Sequence, residues 1–287
     1  MSKITKRERT AIVDDLKRFV ARYGSQAKAS TSIGISPATM SAMLSGKHEL
    51  ISEEMWRTVA TKIGHKTTDW VLVETGAFAE ISTALANAQE DRNTLWIVGD
   101  AGCGKTTTAR AYEAEHSEVY YILCAEDMKK GDFVREIAQK VGCKTAGRNI
   151  RELWVDILET LYQMDAPLLL FDEADKLTES VFGYFISMYN RLEDHAGMVF
   201  LSTDYIRRRI NNGLRYEKKG YKEFYSRIGR KYFEVDDTTA TDVIAIARAN
   251  GIDDDNALRK IVEETAGEYD LRRVKKSVRR TLKQKGV

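Results

Sequence analysis

Thr94-Leu95-Trp96-Ile97-Val98 runs without interruption into Gly99-Asp100-Ala101-Gly102-Cys103-Gly104-Lys105-Thr106, and a helical pattern opens at once behind it. The first five residues are β-rich; the next eight are a GxxxxGK[ST] phosphate loop in the setting that gives it meaning, strand before and helix after. Glycines let the backbone curl until its N–H groups converge on phosphate oxygens, and the following helix points its positive end at them. Lys105 is placed to neutralise terminal phosphates and Thr106 to hold a divalent cation, with Thr107 one residue further along the loop.

A loop of this kind needs a second element that holds the metal and activates water. Pro167-Leu168-Leu169-Leu170-Phe171-Asp172-Glu173 supplies it. The continuous apolar run suits a strand buried on both faces of a parallel sheet, with its acids at the carboxyl end, where such sheets bind ligands. Asp172 would reach Mg²⁺ through water. Glu173 would orient and deprotonate the attacking water, a group that a small-molecule kinase does not need, so the pair points to ATP hydrolysis. Strands near 94–98, 119–124, 167–171, 198–202 and 231–235, with helices between, predict a doubly wound parallel α/β sheet.

These motifs resemble the AAA+ superfamily, and the resemblance implies further roles. Met198-Val199-Phe200-Leu201-Ser202-Thr203 matches the sensor-1 strand, with Thr203 favoured and Ser202 the alternative. Phe224-Tyr225-Ser226-Arg227-Ile228-Gly229-Arg230 matches the arginine-finger segment, with Arg227 favoured to act across a subunit boundary and Arg230 the alternative. Gly267-Glu268-Tyr269-Asp270-Leu271-Arg272-Arg273-Val274 resembles the start of the sensor-2 helix, where Arg272 fits better than Arg273. For each arginine a solvated basic face is the other reading.

Ahead of the phosphate loop, Ile12, Val13, Leu16, Phe19 and Val20 recur at helical spacing. A short helix over 26–32 reaches Gly34; Ser36 caps the next helix, with Pro37 at its first position, and it runs to Leu44. Met55, Val59 and Ile63 mark a closing helix. Helix, glycine turn and helix resemble the repressor-like helix-turn-helix family, with Thr39, Ser41 and Lys47 among the outward residues. These are short or polar, and no Arg, Asn or Gln cluster is present for base readout, so largely non-specific DNA contact is expected. The alternative is a helical bundle that only packs. The domain boundaries expected are 1–69 for this unit, 70–236 for the AAA+ core and 237–287 for a helical lid; 70–90 could be linker or core.

The chain has 287 residues, 43% hydrophobic and 31% charged, with a formal net charge of +2. That excludes a uniformly basic coat, yet charge is concentrated locally. Between 204 and 231 ten basic residues face three acids, a net of +7. From Leu271 onward the chain carries Arg272, Arg273, Lys275, Lys276, Arg279, Arg280, Lys283 and Lys285 and no acidic residue, on a helix whose other face carries Leu271, Val274, Val278 and Leu282. Lys129 and Lys130 after the second strand, with Lys144 and Arg148 in the next glycine-containing loop, form a third candidate DNA-binding set. Each set also reads as a solubilising surface. Cys103, Cys124 and Cys143 have no metal-ligand or disulfide spacing. No apolar stretch suggests export or a membrane span, so a cytoplasmic setting is expected.

Order and spacing of these parts are similar to the transposition ATPases of the Mu B, IstB and TnsC type. That resemblance implies an ATP-dependent homo-oligomer, ring or filament, on double-stranded DNA that marks target sites and activates a transposase in a bacterial host. A DnaC-like helicase loader and a nucleotide-sensing helix-turn-helix transcriptional regulator are the alternatives.

Overall fold

The computed structural model describes residue 4 and residues 6–23, 25–65 and 70–284. Lys285, singled out in the sequence, lies outside the described residues. The chain divides into two compact units, Met1–Trp70 and Val71–Val287.

The first unit holds α1 (Lys6–Tyr23), α2 (Gln26–Ile33), α3 (Pro37–Leu44) and α4 (Glu53–Lys62). Side-chain caps fix three of the four starts. Ser25, Ser36 and Ser52 accept from the backbone N–H of Lys28, Thr39 and Met55, satisfying donors that a helix cannot satisfy itself. Gly34 ends α2 at φ +64°, in the left-handed region where a Cβ is unfavourable. Ile12, Leu16, Ala29, Ile33, Met40, Met43, Trp56 and Val59 form its core. Ala29 of α2 and Met40 of α3 both lie in that core with no exposed surface.

In the second unit, α5 (Gly76–Glu90) precedes β1 (Thr94–Val98), α6 (Lys105–Glu115), β2 (Val119–Leu123), α7 (Lys130–Val141), α8 (Ile150–Tyr162), β3 (Leu168–Asp172), α9 (Glu179–Leu192) and β4 (Gly197–Ser202). Then come α10 (Tyr205–Arg215), α11 (Tyr221–Arg227), β5 (Phe233–Glu234), α12 (Ala240–Ala249), α13 (Asp255–Thr265) and α14 (Leu271–Gln284). The five strands are parallel in the order β2-β3-β4-β1-β5. The doubly wound α/β fold is therefore present. Strand β5 is two residues long where 231–235 suggested five, because it lies at the edge and pairs β1 only at Ile97↔Phe233 and Val98↔Glu234.

Apolar residues on both faces of β3 and β4 make the sheet a double-sided core. One face packs Trp96, Phe171 and Phe200 with Phe133, Phe182, Phe185 and Phe224 of the helices; truncating a buried aromatic of this kind costs about 3–5 kcal/mol. The other packs Ile97, Leu170, Val199 and Leu201 on Ile81, Leu85 and Ala88 of α5 and Tyr112 of α6. Residues 76–90 are thus part of the core, which the sequence left open. Gly197 permits this approach, since a Cβ there would meet the Ala88 carbonyl oxygen at 2.4 Å. Among the described residues no helix is long and apolar enough to cross a membrane.

Candidate nucleotide-binding and nucleic-acid-contacting site

Because β1 and β3 flank β4, the loop after β1 and the acids after β3 emerge at the same carboxyl edge of the sheet. Gly102 and Gly104 take φ of +87° and +108°, which winds the loop around a concavity. Gly104 starts α6 with no side-chain cap and no acid in the first turn, leaving the first N–H groups available to an anion. The Lys105 ammonium donates to the carbonyls of Gly99 and Asp100 at 2.7 and 2.9 Å and lies 3.6 Å from the Cys103 sulfur. It is held inside the loop it would exchange for phosphate. Ala101 and Thr107 are exposed along the rim.

Asp172 is buried, and the Thr106 hydroxyl donates to its Oδ2 at 2.6 Å. One hydroxyl and one carboxylate side by side fit Mg²⁺, which takes few protein oxygens and fills its octahedron with phosphate and water. Among the described residues no group of three His, Cys, Asp or Glu is placed to hold a metal ion. The Tyr121 hydroxyl donates to the same Oδ2 at 2.7 Å. Burial first, then the hydrogen bond to Asp172 and its charge, push the Tyr121 phenol up, so it stays a donor. The sequence reading missed Tyr121. The available signal was register: Leu123 pairs Asp172 across β2 and β3, and Tyr121 shares Leu123's face one pleat earlier.

Glu173 takes φ +55°, and its carboxylate accepts from Lys176 at 2.5 Å. Such a strained position is the kind found at functional sites. Of the two hydroxyls after β4, Ser202 is buried and committed, accepting from the Trp96 indole at 2.7 Å and donating to the Thr203 carbonyl at 2.9 Å. Thr203 is exposed and donates to Asp175 at 3.3 Å. Burial raises the Asp175 carboxyl, aided by the charge of Glu173 and opposed by Thr203. Cys124, buried behind these acids, has its thiol pushed up by burial and by Asp172, Asp175 and Glu173.

The lid reaches the loop directly. Leu271 N–H at the start of α14 donates to the Gly102 carbonyl at 3.0 Å, and a Cβ on Gly102 would stand 2.1 Å from Asp270 Oδ1. Arg273 is spent on the carbonyls of Glu264 and Glu268 at 2.8 and 3.4 Å, while the Arg272 side chain stays exposed. Arg227 is elsewhere: it donates to Asn190 at 2.6 Å, stacks over Tyr189, and borders a cavity of about 250 Å³ shared with Asn93, Thr94 and Met198. Those residues begin β1 and β4, so Arg227 sits at the amino edge, a strand length or about 15 Å from the loop. Arg230, three residues on, is exposed.

The basic sets separate in three dimensions. Lys129 and Lys130 begin α7, while Lys144 and Arg148 lie past its other end, so 12 residues of helix, about 18 Å, divide what the sequence grouped as one set. Arg148 also pairs with Asp156 at 3.5 Å. Thr39 on α3 shares a 2.9 Å hydrogen bond with Ser36, whereas Ser41 and Lys47 are exposed.

Residues 88–210 match the family model described as an AAA domain. Among solved structures, the chain is similar to the Aeropyrum pernix ORC1 protein in complex with DNA, with TM-score 0.51 and 18% identity over 71% of this chain and 58% of that one. It is also similar to the replication initiator DnaA bound to AMPPCP and single-stranded DNA, with TM-score 0.48 and 18% identity over 76% of this chain and 64% of that one. The chain thus spans less than two thirds of either structure's length. No curated protein matches it. Domain match, strand order and loop-and-acid geometry agree: residues 88–210 carry an AAA domain, set on a five-stranded parallel sheet whose loop and acids fit a bound nucleotide.

Proposed function

We propose that the chain couples ATP to assembly with its own copies on double-stranded DNA, with little sequence preference, and that in a bacterial cytoplasm it selects target DNA for a transposase and activates that enzyme. One observation carries the reading. The α14 helix touches the phosphate loop at Gly102 with its first residue and turns Lys276, Arg279 and Lys283 to solvent along its length, with Val274 and Val278 docked beneath. A change at the phosphates therefore moves a basic surface suited to DNA phosphates.

Gly99 to Thr107 hold the nucleotide, with Lys105 turning from the carbonyls of Gly99 and Asp100 to the terminal phosphates. Thr106 and Asp172 hold Mg²⁺. Bound ATP with Mg²⁺ supplies the phosphoryl group and the cationic charge that stabilises its transfer to water. Glu173, released from Lys176, orients the water and takes its proton; Thr203 and Arg272 contact the terminal phosphate. Arg227 at the opposite sheet edge, or Arg230 beside it, reaches only a neighbouring molecule's phosphates, which couples hydrolysis to assembly. DNA is met by α14, by Lys129 and Lys130, by Lys144 and Arg148 separately, and by Ser41 and Lys47, with Thr39, on the helix-turn-helix of the first unit. The repressor-like unit ahead of an AAA+ core with a short lid supports the transposition role.

The test is DNA binding and particle size on unrelated duplexes with ATP, ADP or no nucleotide. Wild type should assemble with ATP on every duplex, Glu173→Gln should assemble without turnover, and Lys105→Ala should do neither. Stimulation of strand transfer by a cognate transposase completes the case. Loading of a hexameric helicase instead would establish the loader, and binding of one sequence indifferent to ATP would establish the regulator.

A further inference from the structure

Asp172 is more constrained than a metal ligand at a strand end needs to be. A carboxylate oxygen offers two lone-pair directions. Oδ2 accepts from Thr106 at 2.6 Å and Tyr121 at 2.7 Å, and Oδ1 accepts from the Glu173 N–H at 3.0 Å. That leaves a single open direction, on Oδ1. Tyr121 is itself clamped from the phosphate-loop helix: Glu113 accepts from its N–H at 2.9 Å, and the Arg110 guanidinium lies 5.0 Å above its ring. Thr106, Arg110 and Glu113 fall on one face of α6, at i, i+4 and i+7. A closed circuit therefore runs from the phosphate loop along α6, through Tyr121, to Asp172 and back to Thr106.

We propose that Tyr121 is a positioning residue: by filling Oδ2 it fixes the Asp172 carboxylate so that its open Oδ1 lone pair faces the water shell of the metal. This rests on the ATPase reading above. Its chemistry is that of any buried phenol donor on a carboxylate: the hydroxyl fixes a rotamer without touching nucleotide or metal. Tyr121→Phe keeps the ring under Arg110 and the backbone bond, and removes the hydroxyl with its bond to Asp172 and its own interaction with Arg110.

The experiment is titration of Mg²⁺ into full-length protein with a fluorescent ATP analogue, alongside direct Mn²⁺ binding followed by the electron-spin resonance of free Mn²⁺. For Tyr121→Phe the metal concentration at half-saturation should rise about tenfold or more, the lower end of what one lost hydrogen bond to a charged group is worth. Nucleotide affinity in EDTA and the melting temperature without nucleotide should stay near wild type. Arg110→Met, which frees the ring but keeps the hydroxyl, should move half-saturation in the same direction by less, and it reads the proposal even where Tyr121→Phe fails to fold. In an Asp172→Asn background the Phe substitution should add nothing. A wild-type metal curve in both variants, whatever the melting temperatures do, overturns the role of Tyr121 alone. A wild type whose nucleotide binding ignores Mg²⁺ overturns the ATPase reading and this proposal with it.

Discussion

The carboxyl edge of the sheet and the basic segment 204–231 are both dense in charged residues, and they are built on opposite terms. At the edge, Lys105, Thr106, Asp172 and Ser202 are buried or half-buried, each with a partner within 3 Å. In the basic segment four of the ten basic residues, Arg227 on Asn190 among them, are spent at home. Arg207 pairs with Asp204 and Glu234 at 2.7 Å each, Lys218 pairs with Glu179 at 3.2 Å, and Arg209 donates to the carbonyls of Asp175 and Leu177 at 2.9 and 2.5 Å. Arg208, Arg215, Lys219, Lys222, Arg230 and Lys231 remain exposed. A net charge of +7 in sequence is thus a smaller field in space, whereas buried atoms at the edge lose a full hydrogen bond when one partner goes. Single substitutions should matter at the edge and at basic residues bonded at home, such as Arg209; among the exposed basic residues only grouped ones should.

The largest effect expected is at Gly102. Alanine there would adopt φ +87° and drive its Cβ to 2.1 Å from the Asp270 carboxylate, so loop and lid cannot both keep their places. Nucleotide affinity measured by calorimetry should fall tenfold or more, and protease should reach the 266–270 connection. Adding Asp270→Ala should restore part of the loss, since it removes the clash and leaves the backbone strain. No recovery in the double variant would mean that the lid contact carries none of the effect.

Arg209→Ala comes next and separates the two kinds of arginine. Its guanidinium ties α10 to the turn after β3, meets the Tyr221 hydroxyl at 3.2 Å and lies 4.8 Å above the Phe182 ring. Stability should drop by about 2 kcal/mol, in the range for hydrogen bonds to charged groups, with the salt dependence of DNA binding unchanged. Replacing Lys276, Arg279 and Lys283 together by Gln should do the reverse. Melting should be unaltered, and the slope of log K against log salt should shrink by about 0.9 for each DNA phosphate no longer neutralised. A slope unchanged in the triple variant would move the DNA site away from α14.

What was legible in the sequence follows the same division. The phosphate loop and the acid pair are contiguous, and the apolar run before Asp172 leaves only a buried strand as host, so fold and site could be read together. The alternation predicted a parallel sheet but not its strand order. Tyr121 was not, because its bond to Asp172 joins residues 51 apart in sequence and exists only once β2 lies beside β3. The division of labour among basic residues was hidden for the same reason. Arg209 and Arg208 are adjacent in sequence, and only the position of the turn after β3 decides that one is bonded and the other exposed. Lys129 and Lys144 looked like one cluster until the length of α7 separated them.

The smallest expected effect tests the home-spent charge by pH. Glu179 is paired with Tyr221 at 2.7 Å and Lys218 at 3.2 Å. Burial pushes its carboxyl up, but the hydrogen bonds from Tyr221 and Lys218 and the charge of Arg209 outweigh it and hold the carboxyl below its ordinary value of 4.5. A depressed carboxyl contributes stability that is fully present above its unfolded pKa and disappears as pH falls through the folded one. Amide exchange in α10 and α11 should therefore quicken as pH drops from about 5 towards 3, relative to the intrinsic rate, and Glu179→Gln should flatten that dependence. The docked face of α14, whose buried residues Val274 and Val278 do not titrate, should lack the Glu179-dependent part of the change. If Glu179→Gln altered exchange in α14 as much as in α10, the two basic surfaces would be one cooperative unit, differing in how their charge is held but not in stability.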